Sequence, residues 1–121
     1  MLSLVAAMVL GILMALPGDR WGAWRPVFYH LLMFGWATQM IFGVAWWMFP
    51  RRTPAEPQTT PLSWACFLAL NAGLLLRVIA EPGSALSTQP AFRTALHASA
   101  VLQLLAVALF VMTMWRRVFA R

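Results

Sequence analysis

The sequence predicts an all-α protein, an integral membrane up-down four-helix bundle made of a single domain of 121 residues. Three observations carry that expectation. Hydrophobic residues make up 62% of the chain and charged residues only 10%, against about one quarter charged in soluble domains. The charges cluster into four groups separated by apolar runs. Prolines fall at every boundary between those runs, and a structure that crosses lipid must satisfy its backbone polar groups within each segment, which selects helices.

The elements follow in order. Met1 to Gly18 carries no charge and predicts a first span at about 1–17; it could instead be a secretory signal, but it has no basic n-region and no A-x-A cleavage site. After Asp19, Arg20 and Arg25, a 23-residue uncharged run from Val27 to Phe49 predicts a second span at 26–49. Arg51, Arg52 and Glu56 then precede a third span at 61–80, and Arg77, Glu81 and Arg93 precede or enter a fourth at 90–115. A helix needs about 20 apolar residues to cross roughly 30 Å of hydrocarbon. Pro26 and Pro90 suit a first helical turn, where a missing N–H costs nothing. Pro17-Gly18, Pro50, Pro54, Pro57, Pro61 and Pro82-Gly83 read as connectors.

A formal charge of +6 and a pI near 11.7 do not indicate a nucleic-acid partner, because the nine arginines flank apolar runs. The partner is the lipid bilayer. Both termini are expected on the cytoplasmic side, with Arg51, Arg52, Arg116, Arg117 and Arg121 inside and Arg20, Arg25, Arg77 and Arg93 outside. Trp21 and Trp24 mark one interface; Trp46, Trp47, Trp64 and Trp115 mark the other. The lone Cys66 forms no intrachain disulfide and reads as a packing residue.

His30 and His97 carry the functional signal. Counted from Pro26 and Pro90, they lie about 6 and 10 Å into helices that start on the same side, so the two imidazoles are expected to face each other. Ionisable groups inside a span are costly and point to function; the plainer reading is that each histidine bonds a neighbouring helix. A flat apolar cofactor with two carboxylates explains more of the sequence. Haem b needs axial nitrogens, apolar walls and cations for its propionates. Arg93, one turn before His97, and Arg77 are the expected cations, with Arg25 at the same level, since guanidinium grips carboxylate through paired hydrogen bonds. Snorkelling to lipid phosphates is the alternative for all three, and the even one for Arg25. Gly11, Gly35, Gly43 and Gly73 make room for a ring or, more commonly, for another helix. Gln39 and Gln103 share a depth and are expected, with Asn71, to tie helices together; a proton path would want carboxylates, and the expected spans hold none.

The pattern His30-x4-Gly35-Trp36-x6-Gly43-Val44-Ala45-x4-Pro50-Arg51 resembles the second helix of haem-copper oxidase catalytic subunits and their relatives, including nitric oxide reductase-like and NnrS-like membrane proteins. Leu76-Arg77-Val-Ile-Ala-Glu81-Pro82 and Leu96-His97-Ala-Ser-Ala-Val-Leu-Gln103 are similar to later parts of short members. The resemblance implies that His30 ligates low-spin haem in a bacterial inner membrane. It also suggests a homo-oligomer: three copies would recreate the twelve spans of the large subunits, although a dimer fits the sequence equally well.

The departures limit the activity. Those enzymes use six histidines, and this chain has two, so copper is not expected and the chain is not expected to be an enzyme on its own. No catalytic residue is assigned. One haem b held by His30 and His97 implies electron transfer with a quinol or cytochrome partner; an open axial position implies gas sensing instead. A cofactor-free accessory subunit is the reading from a different class. A small multidrug exporter is disfavoured, because the first span has no acid.

Overall fold

The computed structural model describes residues 1–17, 19–49 and 60–119. Gly18, Pro50, Arg51, Arg52, Pro54, Glu56, Pro57 and Arg121, used above for boundaries and orientation, lie outside the described residues, as do the side chains of Asp19 and Arg20. Every regular element among the described residues is helical.

Four helices run up and down. Helix α1 is Leu2–Ala15; α2 is Trp21–Met48, α3 is Pro61–Leu86 and α4 is Pro90–Phe119. The last three have 28, 26 and 30 residues, or about 40 Å and more at the helical rise, enough to cross the hydrocarbon. They are membrane helices by length and by composition. Their surfaces agree, because large apolar side chains such as Ile41, Leu68, Ile79 and Leu104 remain more than 60% exposed; in lipid that costs nothing. The 14 residues of α1 cover only about 21 Å, so the first expected span is an apolar helix too short to cross alone.

Local sequence explains the helix ends. Thr60 caps α3 reciprocally: its hydroxyl accepts from the Ser63 N–H at 3.3 Å, and Ser63 Oγ accepts from the Thr60 N–H at 2.9 Å. Pro61 then occupies the first turn. Pro26 does the same in the α-helical stretch Arg25–His30 of α2, but the helix opens earlier than expected, through a 3-10 turn over Asp19–Trp24. The expected end of the third span is corrected. Pro82-Gly83 does not break the chain, and α3 continues through it to Leu86. Proline removes the N–H that would bond the Val78 carbonyl, a loss the helix tolerates four residues before its end; Ser84 Oγ donates separately to the Glu81 carbonyl at 2.9 Å.

Packing without a hydrophobic drive depends on close backbone approach. The tightest pair is α3 with α4. Ser99 Oγ donates to the Gly73 carbonyl at 2.7 Å, and Cys66 Sγ bonds the Ala106 carbonyl at 3.1 Å. A Cβ on Gly73 would lie 3.1 Å from the Ser99 carbonyl oxygen. Phe92 closes over Gly83 in the same way. Helix α1 lies antiparallel along the first half of α2, with Ser3 Oγ donating to the Gly35 carbonyl and Gly11 against Phe28. Helix α2 reaches α4 chiefly through its second half, where Phe42 stacks on Phe110 at 3.8 Å between ring centroids.

Helix α2 changes winding partway. It is α-helical over Arg25–His30, π-helical over Leu31–Ala37 and α-helical again over Thr38–Met48. Thr38 shows the wider winding, since both its N–H and its hydroxyl go to the Met33 carbonyl five residues back.

Gly73→Val is expected to destabilise the bundle by about 1–3 kcal/mol, because a backbone oxygen faces the added carbon and cannot yield. Detergent-titrated unfolding followed by circular dichroism measures it, and Gly43→Ala, at a glycine with open space around it, serves as the neutral comparison.

Candidate functional site

His30 ends the first α-helical stretch of α2, one residue before the π segment. Its side chain is 22% exposed and stacks on Phe34 with centroids 5.8 Å apart. Nδ1 lies 2.7 Å from the Pro26 carbonyl oxygen and 3.6 Å from Glu81 Oε1. Both neighbours are acceptors, so the proton of the neutral ring belongs on Nδ1 and the free lone pair on Nε2.

Glu81 is the site residue that sequence reasoning missed. It is nine-tenths buried and sits inside α3, where the spans were expected to hold no carboxylate. Its Oε1 accepts from Arg77 Nε at 2.8 Å, one helical turn away, while Oε2 is buried without a hydrogen-bond partner. The misplaced helix end at Pro82 hid it. The signal was present, because arginine and glutamate four residues apart share one helix face.

The structure therefore joins His30 and Arg77, two of the five expected site residues, through an unexpected third. Arg77 spends its Nε on Glu81 and makes no hydrogen bond through its terminal nitrogens among the described residues. Arg25, Arg93 and His97 are exposed and make no ion pair or hydrogen bond among the described residues. The ladder of contacts sets their levels. His30 is level with Glu81, whereas the Ser99–Gly73 bond puts His97 level with Leu75 on α3. Six residues of rise separate them, about 9 Å along the bundle, more than the helix starts suggested.

The remaining polar expectations resolve as packing. Gln39 Nε2 donates to Asn71 Oδ1 at 2.9 Å, tying α2 to α3. Gln103, expected at the same depth, is buried at the α3–α4 contact and its side-chain nitrogen has no partner. Gly11, Gly35 and Gly73 admit side chains of neighbouring helices rather than a ring. Two cavities of about 240 and 280 Å³ lie beside Trp46 and Phe67. Their nearest α2 residue, Gln39, is nine positions past His30, about 14 Å along the helix. Among the described residues no group of three or more His, Cys, Asp or Glu comes together to hold a bare metal ion.

Comparison with protein-family models, with curated proteins and with solved structures gives no match to this chain.

Arg77→Met is expected to lower stability by about 1–3 kcal/mol, since it strands a buried carboxylate. Arg77→Met combined with Glu81→Gln is expected to recover most of that loss. Unfolding midpoints of the two singles and the double give the coupling.

Proposed function

We propose that the protein is a haem b carrier of a bacterial inner membrane, with both termini cytoplasmic, that passes electrons between a quinol or cytochrome and a partner through an iron held by His30. The observation that carries this reading is the 2.7 Å contact between His30 Nδ1 and the Pro26 carbonyl oxygen. An imidazole whose Nδ1–H is engaged by a backbone carbonyl, with a carboxylate behind it, is oriented as a ligand through Nε2. The resemblance of residues 25–51 to haem-ligating helices supports it independently. When bound, haem b supplies a one-electron iron couple.

The chain's own residues fit one axial position well. Pro26 and Glu81 hold the proton on Nδ1, Phe34 limits ring rotation, and the terminal nitrogens of Arg77 suit a propionate. Arg93 and Arg25, exposed near the same end, are the further cations. A second axial position has no imidazole at the level of His30 within the chain, because His97 is exposed and about 9 Å deeper. The proposal therefore includes a homo-oligomer, a trimer or a dimer, in which a neighbouring copy completes the iron, or an open position that takes a gas.

Purified protein assayed by pyridine haemochrome is expected to carry one haem b per chain, and His30→Ala to lose roughly tenfold or more of it. Narrow reduced α and β bands that ignore carbon monoxide indicate two protein ligands; a carbon monoxide shift indicates one. If His97→Ala keeps the wild-type bands, His97 leaves the ligand set. A colourless wild type overturns the proposal and leaves the accessory-subunit reading.

A further inference from the structure

Glu81 is an expensive residue where it stands. It lies inside an apolar helix, nine-tenths buried, with one oxygen unpartnered and the other shared between Arg77 Nε at 2.8 Å and the His30 ring at 3.6 Å. Burying an ionic group in a membrane helix is costly, and packing alone gives no reason to bear that cost. Helix α3 runs on through Pro82 instead of ending before it, and the Glu81 carbonyl is engaged by Ser84.

The direction of the carboxylate is specific. Arg77 binds Oε1 from one side, and the same oxygen is the one nearest His30 Nδ1. The Pro26 carbonyl already accepts the Nδ1 proton at 2.7 Å, so at 3.6 Å Glu81 acts by charge and not as a second full hydrogen bond. A carboxylate behind Nδ1–H polarises that bond and leaves more electron density on the opposite nitrogen. Arg77 moderates the charge and fixes its place.

Resting on the haem reading of His30, we propose that Glu81 is a positioning residue that holds the His30 imidazole as an electron-rich Nε2 donor and so lowers the reduction potential of the iron it binds. Arg77 is the counter-ion that sets how strongly it does so. Neither residue touches the iron.

The test compares detergent-solubilised wild type, Glu81→Gln and Glu81→Asp by redox titration, with thermal unfolding alongside. Glu81→Gln keeps the size and an acceptor for Arg77 but removes the charge; it is expected to favour the reduced form about tenfold, which is 59 mV for one electron. Glu81→Asp withdraws the charge and is expected to shift the same way by less. In the haem-free protein, nitrogen NMR of His30 is expected to show the Nδ1-protonated tautomer in wild type and a larger share of the other tautomer in Glu81→Gln. Haem retained at an unchanged potential in a folded Glu81→Gln protein overturns this inference and leaves the haem reading standing. Absence of haem from wild type overturns the haem reading, and then the tautomer measurement alone decides whether Glu81 orients His30.

Discussion

The contact between α3 and α4 governs the rest of the bundle. In lipid no hydrophobic force pushes apolar helices together, so association relies on dispersion and on hydrogen bonds between backbones that come close. Gly73, Ser99, Cys66 and Ala106 supply that approach, with a hydroxyl and a thiol each reaching the opposite main chain. Once α3 and α4 are locked, α3 presents Asn71 to Gln39 and Glu81 to His30, so α2 docks in a register fixed at two heights. Helix α1 is the dependent member. It reaches the bundle through α2, and most of its outward residues, Leu2, Val5 and Ile12 among them, stay exposed.

The same low-polarity setting gives the ionic cluster its meaning. A carboxylate, a guanidinium and an imidazole at one level of a membrane bundle are coupled far more strongly than on a wetted surface. Each limits the states of the others. Arg77 fixes the place of the Glu81 carboxylate, and Pro26 and Glu81 both present acceptors to His30 Nδ1. That geometry is what the proposed ligating role of His30 rests on.

Much of this was legible from the residues. Sparse charges and proline-punctuated apolar runs are sufficient for an all-α membrane bundle, and the starts of α3 and α4 follow from Pro61 and Pro90, whereas α2 begins before Pro26, at Trp21. What could not be read were features set by tertiary context. Pro82 reads as a stop because proline usually costs a helix a hydrogen bond, whereas α3 continues to Leu86 with Phe92 packed over Gly83. The two histidines counted from their helix starts seemed nearly level. Their true offset depends on how α2 and α4 each register with α3, which no count along one helix contains. Of the expected site, His30 and Arg77 come together. Arg25, Arg93 and His97 belong to outward faces.

The wider winding of Leu31–Ala37 sits between the two jobs of α2. Above it His30 points toward α3; below it Phe42 and Trp46 meet Phe110 of α4. A π segment holds about one residue more than an α-helix of the same number of turns, and each residue advances an α-helix by about 100°. The segment thus works as a phase shifter, letting one rod address two neighbours whose directions differ by less than a regular repeat allows. Excising a single residue there would let regular α-winding run through with both faces still in phase, whereas keeping every residue and forcing that winding would turn the imidazole about 100° away from its carboxylate.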